Sequence, residues 1–180
     1  MSRNRSMVFA LSWMLALGLS GASAQNASDP GDMARLLSNQ DTRQSAVDMI
    51  AAAGQRYVPM LLSWTRQPPA DLDQNELKVG LADALGRLRT AGAIPFLIEN
   101  ISLRRDRAFD LRPWTKTPAV IEESFPAVMA LIRIGPAAAE AVIGAYDRLT
   151  TPDGRLAAIF VVTHVATVPE AGAFRLCARI

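Results

Sequence analysis

Regularly spaced turns between short helical segments are the feature that most constrains the fold of this chain. Aligning successive helix–turn–helix units gives turns at intervals of 36, 45 and 35 residues, at Gly54, Thr90, Gly135 and roughly Glu170. Eight residues before each turn stands an apolar residue, small in the first three units: Ala46, Ala82, Ala127 and Val162. Such a period is typical of stacked helix pairs, which approach closely through small residues. We therefore expect an all-α chain of about four antiparallel helix hairpins.

Local signals predict where several of these helices begin and end. A capping residue followed by a polar partner or a proline marks four starts: Asp41 with Gln44, Asp73 with Glu76, Thr117 with Pro118, and Thr151 with Pro152. The helix from Thr117 is expected to run through Phe125 to Ile132. Glycine adopts the left-handed conformation at a helix C-terminus without steric cost. Gly54 and Gly135 are therefore predicted to end helices.

The pattern resembles the HEAT-repeat family of helical repeats. The resemblance is best in two stretches, residues 43–62 and residues 80–98, and extends from near Asp41 to the end of the chain. It implies a short α-solenoid over residues 41–180, preceded by a polar lead-in and N-terminal capping helix at residues 25–40. An irregular helical bundle is the alternative fold.

Composition agrees with packed helices in a single domain. Half of the residues are hydrophobic, but only 6% are aromatic. A β-sandwich would require more β-branched and aromatic residues. Tetratricopeptide repeats are a poorer match because the spacing is irregular and their Trp-Leu-Gly-Tyr pattern is absent.

The first 24 residues have the three parts of a secretory signal peptide. Arg3 and Arg5 precede the apolar run of residues 7–19, and Ala22 and Ala24 form a small-x-small cleavage site. An uncleaved anchor is the alternative, but the run is shorter than the roughly 20 residues that span a bilayer. We therefore expect an exported protein, periplasmic or extracellular, with no stable membrane anchor after cleavage before Gln25.

Cleavage would also remove the positive charge of the chain. The sequence has 19 Lys and Arg against 17 Asp and Glu, and the two arginines of the signal peptide leave without any acidic residue. The mature chain is then formally neutral, whereas nucleic-acid binding requires a retained basic surface. We expect no nucleic-acid partner.

Residues with catalytic or metal-binding potential do not form a recognisable site. His164 is the only histidine, and a lone histidine is more often a packed or surface residue than a base. Asp71, Asp73 and Asn75 are spaced as at the start of an EF-hand loop, but Glu76 stands where that loop requires glycine. The sequence therefore predicts no catalytic residue, no metal, no cofactor and no enzymatic activity.

The segment of residues 102–117 is the strongest local anomaly. It accounts for the long 45-residue interval, and it carries five basic residues against Asp106 and Asp110. Insertions in solenoids lie on one face, often the binding face, and arginine and tryptophan are enriched at interface hot spots. The candidate partner-binding residues are Arg104, Arg105, Arg107, Phe109, Arg112 and Trp114. The alternative is a loop folded over the helices, with its aromatic rings covering apolar surface.

The C-terminal edge is a second candidate interface. The chain ends in an apolar segment containing Leu176, Cys177 and Ile180, where a solenoid normally presents a polar cap. Either a second copy covers this edge, giving a homo-oligomer, or the chain is a shortened form of a longer array. Cys177 is the only cysteine, so it is either buried as a small hydrophobe or forms an intermolecular bridge.

From these features we predict a non-enzymatic, exported scaffold that binds an unidentified protein partner through stacked hairpins. A structural protein that self-associates through its C-terminal edge is the alternative, and an enzyme of unrecognised type is the least favoured one.

Overall fold

The computed structural model describes residues 29–105 and 124–165, and within these ranges the chain is all-α, without a β-strand. The predicted fold class is confirmed at this level. The helices are α1 (Pro30–Ser38), α2 (Gln40–Ala53), α3 (Val58–Arg66), α4 (Gln74–Arg87), α5 (Ile94–Glu99), α6 (Pro126–Ile134), α7 (Pro136–Ala145) and α8 (Pro152–His164). Short 3-10 turns precede α3 and α5 and follow α7.

Side chains cap several helix N-termini. The carboxylate of Asp73 accepts hydrogen bonds from the amides of Asn75 and Glu76, and the Thr151 hydroxyl accepts one from Gly154. These two predicted starts are confirmed. The predicted start at Asp41 is wrong, because α2 begins at Gln40 and its N-cap is Asn39, whose side chain accepts from the Asp41 amide.

Three hairpin turns require a left-handed residue. Gly54 and Gly135 have φ angles of +68° and +92°, as predicted for helix-ending glycines. At the end of α4 the left-handed residue is Arg89, with φ +51°. The Arg89 amide donates to Gly86 and the Thr90 amide to Leu85, the two hydrogen bonds of a Schellman motif. The second turn therefore shares a positive φ angle with the other two but has arginine where they have glycine.

Helices α4 and α6 are the centre of the packing. Helix α4 contacts α1, α2, α3 and α6, and α6 contacts α4, α5, α7 and α8. The first helices of successive hairpins thus meet in chain order, from α2 to α4, α6 and α8. The aligned residues Ala46, Ala82, Ala127 and Val162 are all buried in these contacts.

Two glycines of α4 allow unusually close helix crossings. A Cβ atom on Gly80 would clash with the Leu37 carbonyl oxygen of α1. A Cβ atom on Gly86 would lie 2.6 Å from the Cα atom of Ala130 in α6. Real Cβ atoms do not approach backbone this closely, so α4 can occupy its position only with glycine at these two sites.

A buried arginine on α2, Arg43, joins helices α1, α2 and α4. The Nε atom of Arg43 donates to the Leu37 carbonyl at 3.1 Å, and its guanidinium pairs with the Glu76 carboxylate on α4. Leu37 lies at the C-terminus of α1, where carbonyls lack helical partners. Arg43 therefore donates a hydrogen bond to a carbonyl at the C-terminus of α1, and it links both α1 and α2 to the start of α4.

One prediction for the later helices is corrected. The helix predicted from Thr117 through Phe125 to Ile132 does not continue through Phe125, which is non-helical, and α6 begins at Pro126. Proline disfavours the helical conformation in the residue before it. The residues from Thr117 to Glu123 lie outside the described ranges.

Candidate groove beside the basic segment

Of the six candidate partner-binding residues, the structure describes Arg104 and Arg105. Arg107, Phe109, Arg112 and Trp114 lie outside the described residues. Arg105 and Ser124, the described residues that border residues 106–123, are adjacent in space, because the Arg105 amide donates to the Ser124 carbonyl at 3.0 Å.

Arg105 is held by the helical body. Its guanidinium forms a two-point ion pair with the Asp83 carboxylate on α4, including an Nη1–Oδ2 distance of 2.5 Å. The Asp83 side chain is 13% exposed and the Arg105 side chain 30%, so the pair is partly shielded from solvent. Two parallel hydrogen bonds fix the geometry of the guanidinium. Arg105 is thus a structural anchor of the segment as well as a candidate contact residue.

Arg104 also packs against the body. Its guanidinium carbon lies 5.6 Å from the centroid of the Phe125 ring, and Phe125 is fully buried. An arginine at this distance over an aromatic face is attracted by the ring quadrupole. The two described arginines therefore both fix the start of the segment to the helical body.

The base of the segment borders an open groove of about 380 Å³. Three successive first helices each contribute two residues one turn apart, and Arg105 completes the lining. The lining residues are Gln44 and Val47 of α2, Asp83 and Arg87 of α4, Met129 and Arg133 of α6, and Arg105. The groove therefore crosses the three hairpins at their first helices.

Three arginines and one carboxylate are among the described residues that line this groove. They are Arg87, Arg105, Arg133 and Asp83, and Asp83 is paired with Arg105. Arg87 lies 3.5 Å from Asp48, and both side chains of this pair are about half exposed. Exposed ion pairs of this kind are weak. Sequence reasoning missed this groove, although the spacing of Asp83 to Arg87 and of Met129 to Arg133 places each pair on one helix face.

A second, more apolar cleft of about 640 Å³ lies along the second helices of the hairpins. Ile94 and Ile98 of α5 face Ala141 and Ala145 of α7 across it. No titratable cluster lies in this cleft among the residues that line it; its charged members are Glu99 and Arg148. The cleft is concave, as a binding site would be, but its lining residues do not indicate a particular kind of ligand.

His164 is exposed at the end of α8. Its Nδ1 atom lies 2.8 Å from the Phe160 carbonyl, which can only accept, so Nδ1 carries the proton. Its ring stacks on that of Phe160 at a centroid distance of 3.7 Å. Among the described residues these contacts and the Thr163 hydroxyl surround the ring, without the carboxylate that orients a catalytic base.

Residues 29–105 and 124–165 contain neither a candidate metal site nor a candidate membrane-spanning helix. That part of the chain contains no cluster of three or more potential metal-ligating side chains. It also contains no helix of the length and hydropathy that crossing a membrane requires. The predicted signal peptide, Cys177, Leu176 and Ile180 lie outside the described residues.

Comparisons with family models, curated proteins and solved structures returned no match to this chain. The resemblance to HEAT repeats therefore rests on the residue pattern alone. The HEAT assignment, the exported location and the binding role stay predictions.

Proposed function

We propose that this protein is a non-enzymatic, exported binding scaffold built as a short HEAT-like α-solenoid. The observation that best supports the proposal is the open groove across α2, α4 and α6, which borders the base of the basic segment. A segment rich in arginine and aromatic residues beside an open groove combines two features of protein interfaces, hot-spot residues and a concave surface. Its partner is a protein.

The sharpest test separates contact residues from anchoring residues. Arg104 and Arg105 pack against the body, so their substitution would disturb the base of the segment as well as any partner. The better variant is Arg107→Ala, Arg112→Ala and Trp114→Ala together, with Arg56→Ala and Arg66→Ala as a control at exposed arginines that do not line the groove.

Each variant serves as bait for affinity capture from the extracytoplasmic fraction, followed by mass spectrometry. We expect one partner protein to be retained by the wild type and by the control, and to be reduced at least tenfold by the segment variant. Circular dichroism checks that helicity is unchanged. Equal retention by all three baits, or no retained protein, would refute binding through this segment.

Self-association is the second candidate function. Leu156 is 43% exposed on α8, and the half-buried Ile159 and Phe160 lie three and four residues further along the same helix face. Such a face on the last described helix suits a second copy of the chain. Leu156→Lys should then dissociate an oligomer detected by light scattering, whereas Met49→Lys, at a similarly exposed residue of α2, should not. A monomeric wild type would exclude this function.

A further inference from the structure

We infer that Asp83 positions the candidate binding segment, because its carboxylate holds Arg105, the last described residue before residues 106–123. The inference rests on the proposed binding function and adds a positioning residue to it. Asp83 acts through Arg105, so its substitution should weaken partner binding although no side chain of residues 106–123 is changed.

Arg105 is attached to the helical body through both its side chain and its backbone. Its guanidinium donates two hydrogen bonds to the Asp83 carboxylate on α4, and its amide donates to the Ser124 carbonyl at 3.0 Å. Ser124 is the first described residue after residues 106–123, and it lies two positions before the start of α6. Arg105 therefore connects α4 with the part of the chain that enters α6.

Asp83 lies on a part of α4 whose position is tightly constrained. Gly80 and Gly86, three residues to either side, are the positions at which α4 crosses α1 and α6 too closely for a side chain. The Asp83 side chain is 13% exposed, whereas that of Asp48, which pairs with Arg87 beside the same groove, is 54% exposed. A shielded carboxylate on a rigid helix can orient a guanidinium through two parallel hydrogen bonds, which a long and exposed ion pair does not do.

Fixing the start of the segment should strengthen partner binding. Association is opposed by the ordering of loops and side chains at an interface, and a chain that is already held in place loses less freedom. Removal of the Asp83 carboxylate leaves the Arg105 amide bonded to the Ser124 carbonyl, so the helical body keeps that contact. The orientation of the Arg105 guanidinium is then no longer fixed, and binding should weaken while the fold persists.

The first measurement needs no partner and follows the Arg105 side chain by NMR relaxation in the purified protein. The order parameter of its Nε–H bond should be about 0.85, the value of a rigid group, and should fall below about 0.6 in Asp83→Asn. Asp83→Glu keeps a carboxylate within reach of the guanidinium and should retain a high order parameter. A low value in the wild type, or an unchanged value in Asp83→Asn, would overturn the inference.

The second measurement is the retention of the captured partner protein by further bait variants. Asp83→Asn should reduce retention threefold to tenfold, and Asp83→Glu should keep it within twofold of the wild type. The matched control is Asp48→Asn, which makes the same charge change at the exposed pair with Arg87 and should also stay within twofold. Equal losses in Asp83→Asn and Asp48→Asn would show a general effect of charge and contradict the inference.

A double-mutant cycle separates positioning from direct contact. If Asp83 acts through Arg105, Asp83→Asn should add less than twofold to the loss of retention that Arg105→Gln causes alone. Independent, additive losses would mean that Asp83 contacts the partner itself, and the inference fails. If the segment variant loses the partner but Asp83→Asn does not, the binding function stands and the positioning role fails. If the segment variant keeps the partner, the binding function fails and the inference fails with it.

Discussion

The fourteen residues of α4 include two kinds of position: buried positions at which the helix crosses its neighbours, and positions that line the groove. At Gly80 and Gly86 the helix meets the backbone of α1 and α6 so closely that no side chain fits. At Asp83 and Arg87, between and just after these glycines, it presents charge to an open groove. The comparison shows that one helix can specify the packing of its neighbours through missing side chains and expose charged side chains in a groove between the same contacts. Substitutions at the two kinds of position should therefore affect stability very differently.

The largest effect is expected at the glycines. Gly80→Ala and Gly86→Ala should each lower the free energy of unfolding by roughly 2–3 kcal/mol, because the added methyl group forces two helices apart. Gly144→Ala is the control, since Gly144 lies in α7 with nothing within 4 Å of its Cβ position. That substitution should raise the free energy of unfolding by about 0.5–1 kcal/mol through helix propensity. Urea denaturation measures all three, and a neutral Gly86→Ala would contradict the close crossing with α6.

A somewhat smaller loss is expected at the buried arginine that binds the start of α4. Arg43→Met should lower the free energy of unfolding by about 2 kcal/mol, because the Leu37 carbonyl and the Glu76 carboxylate both lose their partner. Arg35→Met provides the control, since the ion pairs that Arg35 on α1 forms with described residues are exposed, at 3.5 Å and 3.7 Å. If the two substitutions cost the same in chemical denaturation, Arg43 does not join the helices as the structure indicates.

The sequence predicted the features that depend on neighbouring residues. The caps at Asp73 and Thr151 and the turns at Gly54 and Gly135 are local, because one residue type satisfies backbone groups only a few positions away. The break before Pro126 was also readable from the conformational restriction that proline imposes, but the apolar periodicity across Phe125 obscured it.

The groove could not be predicted in this way, because its residues meet only after folding. The pair of Asp83 with Arg105 joins residues 22 positions apart, and Arg43 pairs with Glu76 over 33 positions. The segment that holds the remaining candidate contacts was identified from its composition. The structure was needed to show that the first two arginines of this segment anchor it to the helical body and that a groove lies beside them.

At the groove, the expected change in stability is modest. Asp83→Asn should lower the free energy of unfolding by about 1 kcal/mol, because its pair with Arg105 is partly shielded from solvent. Arg87→Gln, which breaks only an exposed pair, should change it by less than about 0.5 kcal/mol. Thermal unfolding of both variants tests this order, and the reverse order would show that Arg87 stabilises the fold more than its exposed ion pair indicates.

The smallest expected effect is an increase in the free energy of unfolding, caused by a substitution at the end of α4. Arg89 adopts a left-handed conformation that costs a non-glycine residue about 1 kcal/mol, and the equivalent turns of the other hairpins use glycine. Arg89→Gly should therefore raise the free energy of unfolding by about 0.5 kcal/mol, since part of the relieved strain is offset by the greater freedom of glycine in the unfolded chain. Arg87→Gly, two residues earlier and still helical, should instead lower it by about 1 kcal/mol. A loss of stability in Arg89→Gly would mean that the exposed arginine side chain makes a contact outweighing its strained backbone.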